Sequence, residues 1–140
     1  MIDKENEVYT RCAEAVRAEF PDVDTTSLFV NEPSSFPHVS IIMRECNEWS
    51  EARDSSAKEK ISEMMFEVNV YSNRQDTPKS EAKKIMSIIA DTMRLMNFNR
   101  TIMTPVDNLA KGNSSASNNG TIYRLLARFE GKASRDLFMK

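Results

Sequence analysis

Glycine and histidine are scarce in this sequence, with three glycines and one histidine among 140 residues. No glycine-rich loop links a strand to a helix, and no serine stands in a Gly-x-Ser-x-Gly elbow. The sole histidine, His38, opens a predicted strand beside Pro37, where a structural role is favoured over a catalytic one. These shortages exclude the common phosphate-binding loops and serine-hydrolase motifs, and they imply no cofactor.

Cysteine is equally sparse, since only Cys12 and Cys46 occur. They have no zinc-finger spacing, and a site made of these two residues and His38 is only a weak zinc signal. Two free thiols in a reducing compartment are the simpler interpretation than a disulfide. We therefore expect no metal site.

Long apolar runs and a large net charge are also missing. No stretch approaches the ~18 apolar residues that a membrane helix needs, and the first ten residues, MIDKENEVYT, are charged where a signal peptide is apolar. The formal net charge is −2, which gives no general attraction to nucleic acid. The sequence predicts neither a membrane protein nor a sequence-specific nucleic-acid binder.

Two amphipathic helices are predicted. The first covers residues 3–20, with Asp3 as a candidate cap and Pro21 as its stop. The second covers residues 80–96, SEAKKIMSIIADTMRLM, and carries a continuous apolar stripe.

The second helix has clear end signals. Thr77 is a candidate N-cap, Pro78 suits the first helical position, and Asn97 tolerates the left-handed conformation that ends a helix. A helix with such an apolar face must lie on a sheet or on a partner.

The remaining apolar segments read as five strands, of which two form a hairpin. Residues 61–72 alternate strictly and pair most simply with the preceding strand in antiparallel fashion. The predicted strands are 27–31, 38–46, 61–72, 98–104 (ending at Pro105) and 121–130. The predicted fold is therefore α+β, with one mixed, mainly antiparallel sheet of about five strands, two helices on one face, and the order α-β-β-β-α-β-β.

We expect a single domain over residues 1–140. Charged or Ser/Asn-rich composition predicts mobile loops at about 47–60 and 107–120, and a flexible tail at about 132–140. The tail is predicted either to fray or to dock on a neighbouring subunit.

The predicted strands carry large side chains on both faces of the sheet, and two helices can cover only one of these faces. Met65 and Tyr71 lie on the face opposite the helices, together with Arg124 and Arg128, which we expect to pair with acids such as Glu67 within the sheet or across a subunit boundary. Trp49, in a charged segment, is predicted to be a lid over the core or an interface anchor. An uncovered apolar surface on a small protein indicates an interaction site.

One enzyme-like pattern is present. Asp107, followed by Glu130 and Lys132, has the Asp…Glu-x-Lys order of magnesium-dependent nucleases, in which carboxylates hold the metal. The Glu-x-Lys triplet is common in charged sequences, and no basic track for DNA accompanies it. A nuclease is therefore the weaker alternative.

Several segments resemble tail terminator and head–tail joining proteins of long-tailed phages. The similar parts are the strand EVNVYSN, the helix SEAKKIM, the strand and loop FNRTIMTPVDNL and the last strand TIYRLLARFEG, in that order. The resemblance covers the C-terminal half firmly and the N-terminal half by pattern only. Its motifs are structural, so sister neck proteins could share them.

The resemblance implies a structural assembly protein and no catalytic residue, metal or cofactor. It implies a homo-hexameric ring that caps the tail-tube protein, stops tube elongation and joins the head connector, at the head–tail junction of a virion assembled in the host cytoplasm. A head-completion or connector protein is the close alternative. Candidate contact residues are Trp49, Met65, Tyr71, Arg124 and Arg128.

Overall fold

The computed structural model describes residues 1–49, 59–106 and 122–139. Within them the chain forms two helices and one sheet, and this confirms the α+β class and the predicted order. The elements are α1 (Glu5–Glu19), β1 (Asp24–Thr26), β2 (His38–Glu48), β3 (Ser62–Ser72), α2 (Pro78–Leu95), β4 (Asn99–Val106), β5 (Tyr123–Ala133) and β6 (Phe138–Met139).

The sheet has the strand order β1-β2-β3-β5-β4, and β6 pairs with β5. Strand β1 runs parallel to β2, whereas every other pairing is antiparallel. The predicted hairpin of β2 and β3 and the mixed, mainly antiparallel character are thus confirmed. Strand β5 lies between β3 and β4, so residues late in the chain complete the centre of the sheet.

Both helices pack on one face of this sheet. The stripe of α2 is buried there, as are the core-facing positions of α1 and of the alternating strands. The main members are Val8, Cys12, Val16, Phe66, Val68, Ile85, Ile89, Met93, Leu125 and Phe129. Among the described residues, no helix is long and apolar enough to cross a membrane.

The helix ends follow the sequence signals closely. Lys4, and not the predicted Asp3, occupies the N-cap position of α1, although the Asp3 carboxylate accepts the Glu5 N–H at 2.8 Å and so satisfies one free donor there. Helix α2 begins at Pro78 as predicted, although the Thr77 side chain makes no capping hydrogen bond. Asn97 has φ 63°, so it takes the predicted left-handed conformation after α2.

The first strand is not where the sequence pattern placed it. Strand β1 is Asp24–Thr26, just before the predicted strand at residues 27–31, because the Asp24 N–H donates to the Pro37 carbonyl at 3.0 Å and sets a parallel pairing with β2. The predicted strand at residues 27–31 instead crosses to the face opposite the helices. There the Tyr71 hydroxyl donates to the Val30 carbonyl at 2.6 Å.

Strand β4 also differs from its prediction. It spans Asn99–Val106, so Pro105 lies within it and does not end it. Proline is compatible with an edge strand, and within the described residues β4 pairs on one side only, with β5. A register shift between Arg100 and Ile102 interrupts that pairing.

The end of the chain is more regular than predicted. Strand β5 extends to Ala133, and β6 pairs with it across Ala133 and Phe138. The Phe138 ring packs edge-on against Phe98 at 5.8 Å, so this segment docks on its own chain. Predicted loop residues 47 and 48 belong to β2, and residues 50–58 and 107–120 lie outside the described residues, as does Thr121, the predicted start of β5.

Candidate functional site: the open sheet face

The structure brings the five predicted contact residues to one sheet face, the face opposite the helices. In β3, Met64, Phe66 and Val68 enter the core, so the alternate residues point the other way. The cross-strand register carries this division onto β2, β5 and β4. We call this surface the open face; its members include Arg44, Glu45, Trp49, Glu63, Met65, Glu67, Asn69, Tyr71, Ile102, Arg124, Leu126, Arg128, Glu130 and Lys132.

A buried carboxylate organises the middle of the open face. Glu67 Oε2 accepts a hydrogen bond from Arg44 at 3.0 Å, and Oε1 accepts from Arg128 at 3.4 Å. Asn69 donates a further hydrogen bond to Oε2 at 3.4 Å. The expected pairing of Arg128 with Glu67 thus occurs within one chain.

This network keeps Glu67 ionised. Burial by itself would raise the pKa of Glu67, but the hydrogen bond and charge of Arg44, with help from Asn69 and Arg128, hold the pKa below its usual value. Glu67 is 7% exposed, whereas Arg44 and Arg128 are 42% and 47% exposed. A fixed anion therefore holds two guanidinium groups at the surface.

Arg124 takes a different partner from the one expected. Its Nε donates to the Asn69 carbonyl oxygen at 2.9 Å. The guanidinium also stacks near two rings, at 5.4 Å from Phe29 and 5.7 Å from Tyr71. Such contacts restrict a long side chain and keep its charge in place.

Tyr71 lies beneath this layer. The residue is fully buried within its own chain, and burial raises the pKa of its hydroxyl, an effect that the nearby Arg124 charge opposes and Glu67 reinforces. A partner that reaches this end of the open face would touch the covering residues, such as the 47% exposed Phe29.

Met65 and Trp49 lie further along the same face. Met65 is half-buried, and its cross-strand partners are Glu45 and Glu130. The Lys132 ammonium lies 4.0 Å from the centroid of the half-buried Trp49 ring. Among the described residues, Trp49 is not part of the apolar cluster under the helices.

His38 and Ser40 occupy the covered end of the face. His38 Nδ1 lies 3.1 Å from the Asp24 carboxylate, and its ring meets Tyr71 edge-on at 5.8 Å. His38 Nε2 and Ser40 Oγ are buried and have no hydrogen-bond partner among the residues that the structure describes. The ring packing fits the structural role predicted for His38.

Alternation along the strands already places Arg44 and Asn69 on this face; what the sequence did not show is that both bind the Glu67 carboxylate. The register shift between Met43 and Glu45 moves Glu45 to the open face and turns Cys46 toward the core. A polar Asn69 at the centre of an otherwise apolar strand was the available signal, because a buried amide needs partners.

The nuclease pattern is only partly within the described residues, since Asp107 lies outside them. Glu130 and Lys132 line a cavity of about 220 Å³ together with Glu63. Among the described residues, no group of three or more His, Cys, Asp or Glu side chains is placed to hold a metal ion. The intervening Gly131 has a packing reason, because a Cβ there would lie 2.6 Å from the Phe98 ring.

Comparison with known proteins shows likeness in fold only. No protein-family model matches this chain, and no curated protein matches it. The cryo-EM structure of the sheath/tube terminator of an extracellular contractile injection system (PVC, extended state) is similar over 100% of this chain, with a TM-score of 0.50 and 14% identity. This chain spans 60% of that terminator's length.

A second solved structure is more distant. The tube terminating cap of the anti-feeding prophage matches 99% of this chain and 59% of its own length, with a TM-score of 0.38 and 12% identity. At that score the likeness carries no argument. Of these two likenesses, only that to the sheath/tube terminator supports the fold.

Proposed function

We propose that this protein is a tail-terminator assembly protein. It forms a homo-hexameric ring that caps the end of a tail tube, stops tube elongation and joins the tube to the head connector. The observation that carries the proposal is the fold likeness to the sheath/tube terminator, which extends over the whole of this chain. The order of resembling segments along the C-terminal half supports it from the sequence side.

The open face suits the contacts that such a role requires. Fixed arginines beside exposed apolar side chains are typical of interface centres, where Arg, Met and aromatic residues are enriched. Arg128, Met65 and the stacked Arg124 provide this combination. We assign subunit or tube contacts to them, and Trp49 extends the same surface.

Complementation of a phage that lacks the protein tests the proposal and separates it from the connector alternative. Loss of a terminator gives overlong tails, whereas loss of a connector gives tails of normal length without heads. Electron microscopy of the particles measures both. The terminator proposal fails if tails are normal in length when the protein is missing.

Native mass measurement tests the ring. A mass of six chains, alone or on tube ends, is expected for the proposed assembly at the head–tail junction. Ring formation needs a contact between two different surfaces of neighbouring subunits, which closes by rotation.

The nuclease alternative has a direct test. Incubation of plasmid with the protein and magnesium should give no nicking above the level of a Glu130→Ala variant. Activity that this substitution removes would favour the nuclease and oppose the structural role.

A further inference from the structure

The open face carries two bands of opposite charge. One band has three arginines around the single buried carboxylate of Glu67. The next band along the strands has three glutamates, Glu45, Glu63 and Glu130, beside one lysine, Lys132. The register makes the bands adjacent, because Glu67 pairs with Arg128 and Met65 pairs with Glu130.

The bands do not neutralise each other within the chain. Arg128 turns to Glu67, and in the described part of the chain the exposed Glu130 side chain has no ion pair or hydrogen bond with another residue. Residues two apart on a strand lie roughly 7 Å apart, beyond direct contact for these two orientations. Each band therefore presents charge outward.

Rotation by 180° about an axis across the strands brings the Arg128 level of β5 in one copy opposite the Glu130 level of β5 in the other. An axis at the level of Phe129 reverses the strand direction, so Arg128 of one copy faces Glu130 of the other, twice over. A rotation axis along the strands would instead set arginines against arginines. The charge pattern thus selects one of the two face-to-face arrangements.

Apolar side chains lie around the same axis. Ile102 is 44% exposed and pairs with Arg128, and half-buried Met65 and Leu126 flank it. These groups give the contact an apolar centre between charged bands, which is the usual anatomy of a protein interface.

We propose that the open face binds a second copy of this chain, face to face and with strands antiparallel, through Arg128 and Glu130 of each copy. This contact uses one surface twice, whereas a ring contact joins two different surfaces. Both proposals use Arg128, so one copy makes either this contact or a ring or tube contact through that residue at a time. At ~4.8 Å between strands and ~3.3 Å per residue, four strands and ten residues give about 630 Å² on each copy. That is below the ~800 Å² of stable complexes, so the pair is weak and salt-sensitive.

Sedimentation velocity on the whole chain, from micromolar to near-millimolar concentration, tests this contact. Wild type should form two-chain species that weaken about tenfold between low and high salt. Glu130→Arg should weaken association by about tenfold or more, because each pair becomes Arg facing Arg. Glu14→Arg on the exposed side of α1 makes the same charge change elsewhere and should leave association unchanged.

Mixing variants gives the sharper result. Arg128→Glu and Glu130→Arg should each remain monomeric alone and associate when mixed, because their bands become complementary. If Arg128→Glu does not fold beside Glu67, Arg128→Gln keeps a hydrogen-bonding group there and should weaken association less strongly. Arg94→Glu on α2 is its control.

Four outcomes would overturn the inference. The first three are a wild type that stays monomeric at near-millimolar concentration, association that Glu130→Arg leaves intact, and a control variant that weakens it equally. A six-chain species unaffected by Glu130→Arg would also overturn it while supporting the ring. A Glu130→Arg variant that forms no two-chain species but gives normal tail lengths in complementation would support the inference. The native mass measurement would still test the ring.

Discussion

Gly131 lies in the middle of the Glu-x-Lys triplet that suggested a nuclease, but core packing explains why this position is a glycine. It separates Glu130 from Lys132, yet its own position faces the Phe98 ring, with 2.6 Å available to a Cβ. Phe98 cannot retreat easily, since it packs edge-on against Phe66 and Phe138. The glycine is therefore required by the core.

A Gly131→Ala variant should lose about 1–3 kcal/mol of stability, the usual cost of forcing extra volume into a packed core. Urea unfolding followed by circular dichroism measures this. Glu130→Ala, on the exposed side of the same strand, should change stability by no more than about 0.5 kcal/mol. Equal effects of the two substitutions would contradict the packing explanation.

Glu67 gives the fold a pH dependence whose sign follows from its environment. The pKa of Glu67 is lowered in the folded state from a value of 4.5. The ionised carboxylate therefore stabilises the fold above pH 4.5, and this contribution is lost as the pH falls from there through the folded pKa.

A Glu67→Gln variant should be less stable than wild type at pH 7 by about 1–3 kcal/mol, because Arg44 and Arg128 lose a charged partner. The difference should shrink once the pH falls below 4.5. Denaturant midpoints at pH 7, 5 and 3 provide the measurement, and Glu63→Gln on the exposed part of β3 is the control. A difference that is constant over this range would show that Glu67 is not ionised in the fold.

At the scale of elements, residues 27–31 act as a cover for the open face. The segment is held by the hydrogen bond from Tyr71 to Val30 and by the stacking of Phe29 on Arg124. Leu28 and Phe29 remain 71% and 47% exposed, so few apolar contacts hold the segment down.

A Tyr71→Phe substitution should loosen this cover more than it destabilises the whole fold. The lost hydrogen bond is worth about 1 kcal/mol. Chymotrypsin cleavage after Leu28 or Phe29 should accelerate about fivefold, while Tyr9→Phe, which loses a bond to Thr25, should leave that cleavage rate unchanged. Unchanged cleavage in Tyr71→Phe would mean that the segment is held by packing alone.

The elements that the sequence predicts well are those with local signals. Helix α2 has its proline, its stripe and Asn97 within one stretch of chain, and its bounds were close to the prediction. Strand β1 was misplaced because its three residues are selected by a distant carbonyl, that of Pro37. Residues 27–31 have strand composition, but their hydrogen bond is to a side chain.

The candidate site divides in the same way. Alternation along β3 and β5 was enough to group Met65 and Tyr71 with the two arginines on one face. The burial of Tyr71 and the position of Glu45 on this face depended on a crossing segment and a register shift, which are set by contacts far apart in the sequence. The sequence thus predicted which residues of neighbouring strands share a face, but it did not predict that residues 27–31 cover part of that face.

At the scale of the whole molecule, Cys12 reports on the integrity of the core. It is buried between α1 and the sheet, and burial raises the pKa of its thiol from 9.0 to about 12. The reactive thiolate at pH 8 is then roughly a thousandfold scarcer than in the unfolded chain, before access is considered.

In a Cys46→Ser variant, Cys12 should therefore react with a thiol reagent at least about a thousandfold more slowly in the native protein than in urea. Its rate should follow global unfolding as denaturant is added. In a native Cys12→Ala variant, the half-buried Cys46, which is hydrogen-bonded to Ser62, should react faster than Cys12 does in the native Cys46→Ser variant. Similar native rates for both thiols would show that the space under α1 opens without unfolding.

Pro105 and the register shift near Arg100 affect whether further strands can add to the β4 edge of the sheet. An exposed strand with a regular row of free N–H and C=O groups can recruit further strands without limit, as in fibrils. Strand β4 has a residue with no N–H to donate and a break in its repeat, so it is a poor template for that growth. Strand-by-strand addition of further copies at β4 is therefore disfavoured.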